Sequence, residues 1–142
     1  MIVDTTYFLP LVGIDIDEDL LKAIDENQVR ITFSDIKISL ITIFELQAKA
    51  AKLGIDSDTV VKGINAILKS FEIIPFSESE IIRVSFKLRE KLNDYIDCVI
   101  VATAVNHGKK LVTEDEDIIS IRDLLRREYG LRVYTFRELL KS

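Results

Sequence analysis

The stretch Asp97-Cys98-Val99-Ile100-Val101-Ala102-Thr103-Ala104-Val105-Asn106-His107-Gly108-Lys109-Lys110-Leu111-Val112-Thr113-Glu114-Asp115-Glu116-Asp117 decides the fold. Its first ten residues are apolar at nearly every position, so a helix there leaves no face for water and must be buried on all sides. Gly108 closes it. Lys110 to Thr113 then reads as a short strand, and Glu114 to Asp117 as a run of acids at the strand's end. A buried helix that delivers the chain into a strand is half of a βαβ unit, and its burial requires a sheet against it.

Outward from this stretch the same alternation recurs. Ile2-Val3 is a short strand ending at Asp4. Asp17 to Glu26 reads as a helix with Leu20, Leu21 and Ile24 on one face. Residues 29–41 are ambiguous, with strand character from Ile36 to Ile41 and a turn at Ser34-Asp35. Phe44 to Leu53 is a helix stopped by Gly54, and Asp58 to Phe71 another, with Val61, Ile64, Ile67 and Leu68 as its apolar stripe. A strand at Ile73 to Phe76, an amphipathic helix from Glu78 to Leu92, a helix from Asp117 to Tyr129 closed by Gly130, a strand at Arg132 to Thr135 and a helix from Phe136 to Leu140 complete the pattern. This alternation predicts an α/β fold: a three-layer α/β/α sandwich around a central, mostly parallel sheet.

The chain has 142 residues, 48% of them hydrophobic, which suits one domain with a sizeable core. Two prolines and five glycines leave little material for a linker, so residues 1–142 are read as a single domain. The net charge of −5 argues against a non-specific nucleic-acid binder held by a basic face. It does not oppose an enzyme that reaches phosphate through a cation. Cys98 is the lone cysteine, so no intrachain disulfide forms, and a cytoplasmic setting is expected. The first residues lack the basic start of a secretory signal, and no apolar run approaches the roughly 20 residues of a membrane span.

In a parallel sheet, ligands bind beyond the carboxyl ends of the strands. Asp4 stands there after the first strand, Glu45 after Ile38 to Ile41, and Asp115 and Asp117 after Leu111-Val112-Thr113. Asp97 opens the buried helix and joins them if that helix starts at the same edge. Carboxylates crowded into one cleft cannot all stay ionised without a counter-charge, and a hard divalent cation is the natural one. No His/Cys cluster exists for a structural zinc. Each acid also has a plainer reading. Thr42 to Glu45, Ser77 to Glu80, Thr113 to Glu116 and Thr135 to Glu138 all match the capping-box spacing. Asp94 and Asp97 could be first-turn acids, and Glu114 to Asp117 a solvated charge run. His107, at a helix end, reads as a solvated residue.

Four pieces taken together, Ile2-Val3-Asp4-Thr5-Thr6, Thr42-Ile43-Phe44-Glu45-Leu46, Asp97 to Ala104 and Leu111-Val112-Thr113-Glu114-Asp115, resemble the PIN-domain family over essentially the whole chain. The resemblance implies an acidic pocket that binds Mg²⁺ or Mn²⁺ and a ribonuclease activity on RNA. Small single-domain members of this kind include VapC-type toxins paired with a small antitoxin protein, commonly as homodimers. The family's four acids fall on Asp4, Glu45, Asp97 and Asp115, with Asp117 as an extra metal ligand. Thr5, Thr6, Thr42 and Thr113 fall where hydroxyl residues support the acids. Ile118 departs from the pattern, standing where an aromatic is common.

For holding RNA, Arg83, Lys87 and Lys91 recur along one helix face opposite Ile82 and Phe86, and Arg122, Arg126 and Arg127 cluster on another helix. The plainer reading of both is a solvated helix face. Tyr7 and Phe8 suit the core better than base stacking. Two rival classes are a non-catalytic RNA- or protein-binding module of the same fold and a phosphoacceptor or phosphatase domain. A phosphatase of the haloacid-dehalogenase kind wants a second acid where Thr6 stands, and a receiver domain wants paired acids where Asp4 stands alone.

Overall fold

The computed structural model describes residues 1–142. Five parallel strands form the sheet: β1 (Ile2–Val3), β2 (Lys37–Ser39), β3 (Glu72–Ile74), β4 (Lys110–Val112) and β5 (Arg132–Tyr134), in the order β3-β2-β1-β4-β5. The helices are α1 (Leu20–Asp25), α2 (Leu40–Lys52), α3 (Ser57–Ser70), α4 (Ser79–Leu88), α5 (Tyr95–Asn106), α6 (Glu116–Ser120), α7 (Arg122–Tyr129) and α8 (Phe136–Leu139). A 3₁₀ helix, Thr5–Val12, follows β1, and a short one, Phe33–Asp35, precedes β2.

The sheet separates two apolar cores, because successive strand residues face opposite sides. Val3, Ile38 and Val112 face one side and pack on the Thr5–Val12 segment, α1, α2 and α3 through Tyr7, Phe8, Leu20, Leu46 and Ile67. Ile2, Ile74, Leu111 and Val133 face the other and pack on α4, α5, α6 and α7 through Ile81, Ile100, Ile118 and Leu125. The expected α/β/α sandwich is therefore the observed one. Helix α5 is buried as its composition requires, with every residue from Cys98 to Ala104 buried. No helix is long and apolar enough to cross a membrane.

Strand order sets the place of any ligand. From β1 the chain steps to β2 and β3 on one side, then crosses to β4 and β5 on the other. Helices cover one face on the first excursion and the opposite face on the second, as right-handed crossovers demand. The direction reverses between β1 and β4, and at such a switch point a crevice opens beyond the carboxyl ends of the strands.

Several expectations are corrected. The segment Thr5–Val12 carries a 3₁₀ helix that hydrophobic period alone does not mark, since Pro10 stands inside it. The ambiguous residues resolve into the Phe33–Asp35 turn and β2, and α2 starts at Leu40, capped by Ser39, without a loop. The helix expected over 117–129 is broken at Ile121 into α6 and α7. On α3, Ile67 is buried and Val60 and Ile64 pack against the core, whereas Val61 and Leu68 are exposed. On α4 the buried side is Ile81, Ser85 and Leu88, leaving Ile82 and Phe86 exposed rather than in the core.

Candidate metal centre

Register brings the first two acids together. Val3 pairs with Val112, so Asp4 and Thr113 lie side by side as the strands end. The Thr113 hydroxyl donates to Asp4 Oδ2 at 2.6 Å, and the Thr5 N–H donates to Asp4 Oδ1 at 2.7 Å. Thr113 Oγ1 in turn accepts the Asp115 N–H at 3.0 Å, which fixes the turn out of β4. Asp115 Oδ1 caps α6 by accepting the Ile118 N–H at 3.0 Å.

Helix α2 brings Glu45. Because α2 begins at Leu40, capped by Ser39, Thr42 and Glu45 lie within the helix on one face, and the capping box expected at Thr42 to Glu45 does not form. Thr42 is fully buried instead and meets Thr5, Oγ1 to Oγ1, at 3.1 Å. Thr5 Oγ1 donates to Glu45 Oε1 at 2.5 Å. A hydroxyl has one proton, so the Thr42 hydroxyl must donate to Thr5, giving a relay from Thr42 through Thr5 to Glu45.

Helix α5 brings Asp97. Asp94 caps α5 by accepting the Ile96 N–H at 2.9 Å, and Asp97 is the first-turn acid beside it. Asp4, Thr5, Thr6, Glu45, Lys49, Asp97, Glu114 and Asp115 line one cavity of about 150 Å³ without an apolar side chain. Asp4 forms its floor, only 8% exposed. Burial raises the Asp4 carboxyl, opposed by its bonds from Thr113 and Thr5 and reinforced by the charges of Glu45 and Asp115. The Asp97 carboxyl is pushed up to about 7, first by burial and then by the charges of Asp115, Asp94, Asp4 and Glu45. The like charges act on one another because Asp4, Glu45, Asp97 and Asp115 line the same small cavity.

Two members of the wall were missed in the sequence. Lys49 follows Glu45 by one helical turn and is the cavity's sole cation. Glu114 lies in what the sequence presents as a solvated charge run, yet it accepts hydrogen bonds from the buried Tyr7 hydroxyl and from the Phe136 N–H, the latter at 2.9 Å. The signal for it was Tyr7 itself, since a phenol buried in the core needs an acceptor. Tyr7 and Phe8 are fully buried, as expected.

Other candidates lie elsewhere. Asp117 is exposed in the first turn of α6 and does not line the cavity. Arg83 pairs with Glu80, and Lys87 sits 5.9 Å over the Tyr129 ring. Neither these two nor Lys91 reaches the cavity wall. His107 is not free in solvent: its Nε2 meets Glu78 at 2.7 Å. Glu78 is thereby engaged at the start of α4, where the Ser77 to Glu80 capping box does not form. The box at Thr135 and Glu138 does form.

As a donor set, four carboxylates with hydroxyl support suit a hard divalent cation, Mg²⁺ or Mn²⁺, and not zinc. No three of the acidic side chains close tightly around a common point. Asp4, Glu45, Asp97 and Asp115 would be the residues to hold such an ion, and a small hard ion that keeps several of its waters would need only one or two of them directly.

The PIN domain family matches residues 1–124. No curated protein shows significant similarity. Among solved structures, a toxin–antitoxin complex from Klebsiella pneumoniae is 26% identical, with a TM-score of 0.61, covering 84% of this chain and 91% of that one. FitAcB from Neisseria gonorrhoeae is 20% identical, with a TM-score of 0.69, covering 97% of this chain and 99% of that one. VapBC2 from Rickettsia felis, bound to a promoter DNA fragment, is 20% identical, with a TM-score of 0.61, covering 94% of this chain and 96% of that one. With the family match spanning residues 1–124 and the acids meeting where the strand order of its parallel sheet reverses, the chain belongs to the PIN-domain family.

Proposed function

We propose that the protein is a divalent-metal-dependent endoribonuclease, the toxin of a VapBC-type pair, with Asp4, Glu45, Asp97 and Asp115 as its catalytic and metal-holding residues. The observation that carries this reading is the convergence of those four carboxylates on one cavity at the sheet's switch point. A Mg²⁺ or Mn²⁺ ion bound there supplies positive charge that acidifies a water and offsets the charge developing on a phosphodiester. Thr113 and Thr5 orient Asp4, and the Thr42–Thr5 relay orients Glu45, so the acids meet an ion with their geometry already set. Thr6 and Lys49 complete the wall, and Lys49 offers the one positive side chain to a non-bridging phosphate oxygen. Asp117, and the helical row Arg83, Lys87 and Lys91, lie outside that wall and have no part in this reading.

Similarity to toxin–antitoxin complexes supports a small antitoxin partner. A homodimer, with RNA as substrate and the cytoplasm as its place of action, completes the proposal. The deciding experiment is cleavage of a labelled single-stranded RNA by the purified chain and by Asp4→Asn, with Mg²⁺, with Mn²⁺ and with EDTA. Metal-dependent cleavage that is lost in the variant is expected. No cleavage of several RNAs by partner-free protein would favour a non-catalytic RNA- or protein-binding module of the same fold.

A further inference from the structure

A second cavity, of about 320 Å³, opens at the outer edge of the sheet and is lined by Arg122, Arg126, Arg132, Tyr134, Asp123 and Glu138, with Leu131 and Val133 behind them. Three arginines face one hollow in a chain whose net charge is −5. The two acids do not cancel them equally. Glu138 Oε1 accepts from Arg122 at 2.9 Å, and also from the Thr135 N–H at 3.1 Å and the Thr135 hydroxyl at 3.0 Å. It is thus committed to the start of α8. Arg126 and Arg132 enter no ion pair and no side-chain hydrogen bond. Two unengaged guanidinium groups therefore share the cavity wall, opposed only by Asp123.

Backbone adds to this. β5 is an edge strand. The Arg132 N–H donates to Lys109 at 3.0 Å, and the Tyr134 C=O accepts the Thr113 N–H at 3.0 Å, so both residues turn their backbone toward β4. Val133, between them, turns its N–H outward by the alternation of a strand. Guanidinium forks and an outward N–H suit a tetrahedral oxyanion, for which arginine offers paired donors. The cavity is also joined to the acid site through the backbone of neighbouring strands. Thr113, which holds Asp4, is bonded to Tyr134, which lines the cavity, and α6, capped by Asp115, leads directly into α7, which carries Arg122 and Arg126.

We propose that the Arg122/Arg126/Arg132 cavity is a phosphate-binding site, one strand outboard of the acid pocket, which seats a phosphate of the RNA strand being cut. Its role in RNA cleavage rests on the nuclease reading above. Its anion chemistry does not.

Arginine Nε–Hε resonances of the full chain, followed by NMR during titration with inorganic phosphate against chloride at equal ionic strength, read the site without any cleavage. Saturable shifts confined to arginines of the cavity, lost in Arg126→Ala/Arg132→Ala, are expected. Binding of a short single-stranded RNA in EDTA supplies the second arm. Each arginine removed should weaken binding several-fold and reduce the salt slope by about 1. Phosphate-specific shifts with unchanged RNA affinity would assign the site to free phosphate groups and overturn its role in seating RNA. No shift beyond the chloride control would overturn the site altogether. Loss of the nuclease reading looks different: the arginine shifts persist while no RNA is cut.

Discussion

The Thr113 hydroxyl donates to Asp4 Oδ2 at 2.6 Å across the junction of β1 and β4, tying the acid at the sheet's centre to the strand that leads to Asp115. Asp4 is buried, and that bond is one of two that favour its charged form against desolvation. Thr113→Val keeps the shape and removes the donor. A buried carboxylate deprived of a partner costs about 1–3 kcal/mol, so the variant should unfold at lower urea concentration at pH 8. Its folded Asp4 carboxyl shifts further up than in the parent. The penalty is therefore largest where the folded carboxyl is ionised in the parent, and shrinks as pH falls through its raised folded value, above the ordinary aspartate range, where both folded proteins hold the proton. Equal destabilisation at pH 4 and pH 8 would contradict this account.

Asp97 gives the fold a pH dependence of its own. Its folded carboxyl is pushed up to about 7, against 3.8 for an ordinary aspartate, by burial and by the neighbouring acids. An acid with a raised folded value binds its proton more tightly in the folded state. Its contribution is thus favourable below about 3.8 and is lost progressively as pH rises to about 7. Metal-free protein should lose thermal stability over that window relative to Asp97→Asn, in which the slope contributed by this residue disappears. Added Mn²⁺ should restore the parent more at pH 8 than at pH 5. An identical pH profile for parent and variant would show that Asp97 is not under this strain.

The hydroxyl relay makes a separate claim. Thr42 donates to Thr5, and Thr5 to Glu45, so both threonines act on the site through Glu45. Residues that orient metal ligands typically contribute about 10–100-fold in affinity or activity. Thr5→Val and Thr42→Val should each weaken Mn²⁺ binding, followed by calorimetry, on that scale. Thr42→Ser should retain it, since the donor survives. If Thr42→Val bound Mn²⁺ as the parent does, Glu45 would be set by its helix alone.

Much of this arrangement was legible in the chain, and the exceptions have physical causes. Asp4, Asp97 and Asp115 could be placed because each follows a strand or opens the buried helix, and the parallel sheet collects those positions at one edge. Thr42 is expected to support the acids only through the family resemblance, because its own spacing to Glu45 equally fits a capping box, whether the threonine starts a helix or lies inside one. Only the direct passage of β2 into α2 at Ser39 separates the two. Arg83, Lys87 and Lys91 share a helical face, but nothing in their spacing says which way that face points. Their helix turns Ile81 and Leu88 inward and leaves Ile82 and Phe86 in solvent. The arginine cavity joins residues from α7 and β5, a contact that depends on the turn at Gly130.

Gly63 offers a test of the packing behind the site. It lies inside α3, where a glycine lowers helix propensity by about 1 kcal/mol relative to alanine. Alanine would therefore stabilise α3 if the helix were free. A Cβ built at Gly63, however, falls 2.1 Å from the Leu11 carbonyl oxygen and 2.8 Å from its carbon. Leu11 belongs to the Thr5–Val12 segment, whose first residue holds Glu45. Relief of that clash must move backbone, because the obstructing atoms are main chain. Overpacking costs about 1–3 kcal/mol, and the upper end applies here, so Gly63→Ala should be destabilised by a net 1–2 kcal/mol or more. For a domain of this size that lowers Tm by about 3–8 °C. If the segment yields by shifting along the sheet, Mn²⁺ affinity should fall with it, because Thr5 moves with Leu11. A Gly63→Ala protein as stable as its parent would mean that α3 and the 3₁₀ segment are not in the close contact described.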